Sequence, residues 1–247
     1  PGNAYANVRQ PIVSTLNLTH LMPVSAVWAG PEKNEHLDGP PLIVTRTDGA
    51  TPFRLVTHIG DVGHTLVAGP TGMGKSVLLA TMAIQFRRYR GSRIFAFDMG
   101  RSIRAAILGM GGEHYDLGAD DEIAFQPLAR IDREGYRTWA SEWVEGRLLH
   151  EGAAVGPDEK AAIWSALGSL ASAPVEQRTL TGLTALLQSN TLRQALAPYV
   201  LGGAHGRLLD ADHDRLGTAD VQAFEMEELM HSKAAVLAVL RYLFARF

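Results

Sequence analysis

Eight consecutive residues, Gly69-Pro70-Thr71-Gly72-Met73-Gly74-Lys75-Ser76, match the pattern G-x-x-x-x-G-K-[ST] at every position. These are the residue types a phosphate-cradling loop needs. Glycine takes backbone angles closed to other residues and lets the main chain come close to an anion. Successive N–H groups then form a nest at the N-terminus of the following helix, where the helix dipole adds positive potential. Lys75 would reach the β- and γ-phosphates of a nucleoside triphosphate, expected to be ATP. Ser76 would offer its hydroxyl to a Mg²⁺ that bridges the same phosphates. Lys75 and Ser76 are thus the predicted catalytic residues, and Gly69, Pro70, Thr71, Gly72, Met73, Gly74, Lys75, Ser76 and Val77 the predicted nucleotide-binding stretch.

A chance match in a chain of this length and glycine content would occur on the order of once in a hundred. The context argues further against chance, because the motif lies between the apolar run His64-Thr65-Leu66-Val67-Ala68 and a helical pattern from Gly74 to about Tyr89. A triphosphate site also needs an acid for its metal. Ile94-Phe95-Ala96-Phe97-Asp98 has the form of a strand ending in such an acid, but no Glu follows it. Asp98 is therefore open to two readings: a metal-linked acid, or a residue that lines the nucleotide edge or caps the next helix. The second is preferred. Glu225, Glu227 and Glu228 read as acids complementing a helix N-terminus.

Other groupings carry less. Asp210, Asp212 and Asp214 alternate as in a calcium loop, but Arg215 replaces the required Gly and Val221 the closing Glu, so a solvated acidic loop is expected. His58 and His64 have no further ligands in metal-binding spacing and read as turn sequence. Arg87, Arg88, Arg90 and Arg93 cluster where cations complement the end of the motif's helix. Any of Arg147, Arg178, Arg193 and Arg207 could serve as a trans-acting arginine finger, and the sequence does not select among them.

The elements that must position the loop follow from periodicity. Residues 1–41 are rich in Pro, Gly and Asn and read as a linker, the end of a preceding region, with at most short strands. Residues 42–133 read as the opening stretch of a nucleotide-binding core. They hold a hairpin around Asp48-Gly49, a strand over His64–Ala68, the loop and its helix, then strand (93–98), helix (103–108) and strand (113–117). Such alternation is the pattern of a parallel sheet with helices on its faces. Residues 134–200 show four helical patterns and no strand, an all-helical insertion, and residues 201–247 return to the core with a strand at Val221–Met226 and a final helix.

The bulk numbers set limits. The chain has 247 residues, 46% hydrophobic and 20% charged, the balance of a globular α/β unit with a sizeable core. Its net charge of -3 does not indicate a surface built to neutralise many phosphates, so a DNA partner is not suggested by charge. With no cysteine, thiolate metal sites, disulfides and cysteine nucleophiles are excluded. No apolar run approaches the ~18–20 residues of a membrane helix. Pro1-Gly2-Asn3 reads as mid-loop and Phe247 as mid-helix, so the sequence is expected to be a piece of a longer protein.

The stretch from His64 to Ser76 resembles the P-loop region of the TrbE/CagE-type ATPases of bacterial conjugation and type IV secretion. Pro1-Gly2-Asn3, Phe97-Asp98-Met99-Gly100-Arg101-Ser102, Gly111-Gly112, Phe125-Gln126-Pro127-Leu128, Phe224-Glu225-Met226 and Arg241-Tyr242-Leu243-Phe244 agree as well. The resemblance implies a RecA-like P-loop NTPase sheet with a helical insertion, truncated here before the Walker B strand. It also implies a homo-oligomer, a hexamer in the full protein. Other inner-membrane secretion components would be its partners, and its place would be peripheral, at the cytoplasmic face of the bacterial inner membrane. The role implied is to energise pilus assembly and the transfer of DNA or protein, with hydrolysis impaired in this piece for want of Walker B. An FtsK/HerA-like or coupling-protein DNA translocase and a nucleotide-binding scaffold are the alternatives.

Overall fold

The computed structural model describes residues 14–22, 28–49, 51–118 and 123–247. Pro1-Gly2-Asn3 of the resemblance lies outside them. The chain forms two compact units, Pro1–Gly69 and Pro70–Phe247.

In the first unit, helix α1 (Thr15–Leu21) stands where at most short strands were expected. Ser14 starts it by accepting the Asn17 N–H at 3.2 Å, although α1 buries no residue. The predicted hairpin is present, with β1 (Ile43–Arg46) antiparallel to β2 (Pro52–Leu55) and Val44 facing Arg54. The strand predicted over His64–Ala68 does not form. Residues 64–68 join no strand ladder, and Leu66 is 92% exposed. An extended segment becomes a strand only when another strand satisfies its backbone groups, whatever its side chains favour.

The second unit begins with helix α2 (Lys75–Phe86), β3 (Ile94–Asp98), α3 (Arg104–Gly109) and β4 (Glu113–Asp116). Then come α4 (Glu134–His150), α5 (Pro157–Leu170), α6 (Leu180–Leu186), α7 (Asn190–Leu196) and the short α8 (Gly206–Leu209). The chain returns through β5 (Val221–Glu225) and closes on α9 (Lys233–Arg246). The sheet is parallel in the order β3-β5-β4, so a strand more than a hundred residues further along the chain inserts between two near neighbours. All five residues of β5 are buried, as expected of a central strand covered on both faces.

Alternation along β3 assigns those faces. Ile94 and Ala96 pack with Ile107 of α3, Val221 and Ala223 on one side. Phe95 and Phe97 point to the other. There Phe95 stacks on Phe247 at 3.8 Å, and Phe97 lies 5.2 Å from Phe244 near the end of α9.

Between residues 134 and 199 the chain is helical. Ala140, Trp143, Val144, Arg147 and Leu148 form the buried stripe of α4, and Ile163, Ala166, Leu167 and Leu170 that of α5, both at helical spacing. This segment shares one continuous core with β5 and α9. The Trp143 indole N–H donates to the Ala238 carbonyl at 3.0 Å, and Arg147 donates to Ala234 O at 3.2 Å.

Candidate functional site

The loop from Gly69 to Ser76 ends on α2. Gly72 and Gly74 lie in the left-handed region, at φ 84° and 80°, and a Cβ on either would meet nothing within 4 Å. Glycine is needed there for backbone angle and not for space. Gly74 is the N-cap of α2, so the N–H groups of the first turn, which no carbonyl of the helix can accept, open at the loop. Lys75 follows at once, and its Nζ donates to the Pro70 carbonyl at 2.8 Å, which folds the side chain back across the loop. Ser76 and Val77 sit exposed on the first turn, and Thr71 and Met73 are exposed in the loop itself. The structure thus brings Pro70 to Val77 into one exposed turn, and Gly69 precedes it as the last residue of the first unit.

These residues fit a triphosphate with its metal. Two glycines in left-handed conformation before a helix start make an anion cradle, and a lysine is already curled over it. Among the described residues no group of three His, Asp or Glu could cage an ion. If a Mg²⁺ accompanies the phosphates, the Ser76 hydroxyl is placed to hold it together with phosphate oxygens, the usual mode for this hard ion.

The three strands of the sheet all end in acids, and their register aligns Asp98 with Glu225 and Asp116 with Glu225. Each acid has a separate task. Asp98 accepts from the Ser102 hydroxyl and from the Ile103 N–H, both at 2.8 Å, so both its oxygens are engaged at the start of α3. Asp116 Oδ2 accepts from Arg101 Nε at 3.0 Å and Nη2 at 2.6 Å, while Asp116 Oδ1 is buried without a hydrogen-bond partner.

Glu225, 1% exposed, receives three backbone N–H groups: Gly100 at 3.0 Å, Arg101 at 2.5 Å and Glu227 at 3.0 Å. It is the last residue of a buried strand, and the expectation of a helix N-terminal acid does not hold for it. The reason is tertiary: its donors Gly100 and Arg101 lie 125 and 124 residues away in sequence. Beside it, burial lowers the His114 pKa, and His114 Nε2 is buried without a hydrogen-bond partner.

Two further expectations are corrected. The aspartates at 210–214 do not form a solvated loop. Asp210 is buried and accepts from Thr181 N at 3.0 Å, from the Thr181 hydroxyl and from Leu201 N at 2.6 Å. Asp214 accepts from Tyr242 and from Arg246, and burial raises its pKa. Only Asp212 remains exposed.

Arg147, Arg178 and Arg193, among the finger candidates, are tied into the fold. Arg147 is buried under Trp143, with its pKa lowered by that burial. Arg178 donates to Ala129 O and Asp132, and Arg193 to Leu187 O. The cluster at 87–93 is used locally, Arg87 on Ser92 O at 2.6 Å and Arg93 beside Asp220 at 3.9 Å. His58 stacks on His36 and hydrogen-bonds with Thr57 and Asn34.

Sequence reasoning missed Glu225 and Arg101 as members of one turn. The stretches Phe97–Ser102 and Phe224–Met226 were each conspicuous, but their pairing in register exists only in the folded sheet.

No protein-family model matches the chain. Curated proteins do. The chain is 41% identical over 255 residues, an alignment that takes in all of it, to a probable conjugal transfer protein TrbE of Sinorhizobium fredii. It is 41% identical over 258 residues to the conjugal transfer protein TrbE of Rhizobium radiobacter. A more distant relative is the type IV secretion system protein virB4 of Bartonella quintana, 25% identical over 252 residues and again along this whole chain. The chain spans 38%, 31% and 32% of these relatives, about a third of their length. Its whole length is therefore homologous to a portion of the TrbE conjugal transfer proteins, with VirB4 proteins as more distant relatives.

Proposed function

We propose that this chain is the ATP-binding portion of a conjugation or type IV secretion motor that energises pilus assembly and the transfer of DNA or protein. One observation carries the reading. A loop that satisfies the phosphate-binding pattern also has the backbone the pattern needs, with Gly72 and Gly74 left-handed and α2 starting at Lys75. Homology to conjugal transfer proteins supports the biological setting.

In this reading the backbone from Gly69 to Val77 binds the phosphates of ATP. Lys75 leaves Pro70 O for the β- and γ-phosphates, and Ser76 ligates Mg²⁺. Asp98 lines the nucleotide edge and holds the start of α3. Self-association into a hexamer and docking with other secretion components at the cytoplasmic face of the inner membrane belong to the same proposal. Among the described residues no helix is long and apolar enough to cross a membrane. The net charge of -3 gives no support to direct DNA binding.

The test is a titration of the chain with MgATP, side by side with Lys75→Ala. The Lys75 ammonium donates to the Pro70 carbonyl in an exposed loop, and the variant is expected to fold normally and to lose most of its triphosphate affinity. A folded Lys75→Ala protein that binds MgATP as well as the original would overturn the assignment.

A further inference from the structure

The turn after β3 is built at a cost its local contacts do not explain. Gly100 and Arg101 are consecutive left-handed residues, at φ 84° and 56°. Arg101 and Asp38 are the non-glycine residues with positive φ among those described. L-residues take this conformation only against a steric penalty, and such outliers concentrate at binding sites and switches. Arg101 gains little from its visible partner, because the ion pair with Asp116 has an arginine side chain 47% exposed, and exposed pairs contribute little stability.

What holds the turn is Glu225. A carboxylate buried at the end of the central strand is committed to the N–H groups of Gly100, Arg101 and Glu227. The result is to aim the Arg101 guanidinium out over the C-terminal edge of the sheet.

That edge is also where the phosphate-binding loop belongs. α2 passes into β3 through the short turn at 87–93, and α2 packs beside α3, which leaves the sheet from the end of β3. A helix entering a parallel strand through so short a turn starts near that strand's C-terminal end. The loop before α2 and the turn after β3 therefore share the edge at which open parallel sheets bind ligands.

We propose that the turn at 99–102 is a second element of the nucleotide site. Arg101 supplies a cation to the phosphates of MgATP, and Glu225 is its positioning residue. Arg101 exchanges the single Asp116 oxygen, Oδ2, that its Nε and Nη2 now share for phosphate oxygens, which a planar guanidinium can engage two at a time and an ammonium cannot. The proposal rests on the P-loop reading above.

The experiment titrates MgATP into the whole chain and into Lys75→Ala, Arg101→Ala, Arg101→Lys, Glu225→Gln and the Arg101→Ala/Glu225→Gln double variant, with circular dichroism to verify folding. Expected are a loss of about tenfold for Arg101→Ala, the scale of one charge-assisted hydrogen bond, and a partial loss for Arg101→Lys. Glu225→Gln weakens binding in the same direction, and the double variant binds no worse than Arg101→Ala, because Glu225 acts through Arg101. Additive losses would show that Glu225 acts otherwise and would overturn its positioning role. Unchanged binding by Arg101→Ala, with binding lost in Lys75→Ala, would sink the proposal and leave the P-loop reading intact. Unchanged binding in Lys75→Ala would remove both. If Glu225→Gln does not fold, the two Arg101 variants decide alone, since their side chain lies at the surface.

Discussion

Replacing Gly74 by Ala isolates the backbone of the phosphate loop from everything around it. Gly74 sits at φ 80°, ψ 16° as the N-cap of α2, and a Cβ there meets no atom within 4 Å. The substitution thus adds no clash, and its whole effect is the left-handed penalty, about 1–2 kcal/mol for an L-residue. The loop is exposed, so the unliganded chain escapes the penalty by relaxing position 74 toward right-handed angles. The midpoint of denaturation should then stay within experimental error of the original. Binding is different, because the phosphate nest exists only with the left-handed residue in place. The penalty then falls on the complex, and about 1–2 kcal/mol corresponds to a roughly 5–30-fold weaker affinity. Titration with MgATP, alongside urea denaturation of both proteins, measures the two quantities separately. Equal affinity in a folded Gly74→Ala protein would refute the claim that the cradle depends on this backbone angle. A large drop in stability would refute the claim that the position is open.

Gly206→Ala offers the opposite case. Its Cβ would lie 1.8 Å from the Val200 carbonyl oxygen, in backbone that cannot give, so overpacking should destabilise the second unit by at least about 1–3 kcal/mol in urea denaturation without acting through the nucleotide loop. The pH dependence of folding should carry the mark of His114 and His205, both held below the ordinary value of 6.5 chiefly by burial. With the folded pKa depressed, the unfolded chain binds more protons, so stability is present above 6.5 and is lost as pH falls through that window. His205→Gln should flatten the slope of stability against pH between the folded and unfolded values, and an unchanged slope would count against a half-buried neutral His205.

The left-handed glycine loop was legible because its pattern is local. Eight adjacent residues carry the pattern, and glycine at 72 and 74 announces angles that other residues avoid. The helices were legible for a similar reason: the stripes in α4 and α5 are written at helical spacing within each segment. Local signals misled where pairing decides. His64–Ala68 has strand-forming residues but no neighbouring strand to complete its ladder, and residues 15–21 needed only a Ser14 cap to form a turn or two of helix.

The sequence by itself determined the glycine-rich loop pattern at 69–76, the parallel class of the sheet and the helical middle, since each depends on residues close together in the chain. Tertiary structure decided the strand order, with β5 drawn between β3 and β4, and through it the work of the acids at the sheet edge. Glu225 is a loop anchor and not a helix acid because burial leaves its carboxylate needing donors, and the fold supplies them from Gly100 and Arg101 across more than a hundred residues. Asp210 was likewise converted from a solvent-facing residue to a buried staple by the arrival of Thr181 and Leu201. A buried charge takes its role from whatever the fold brings to it, and that information is spread over segments that no local pattern connects.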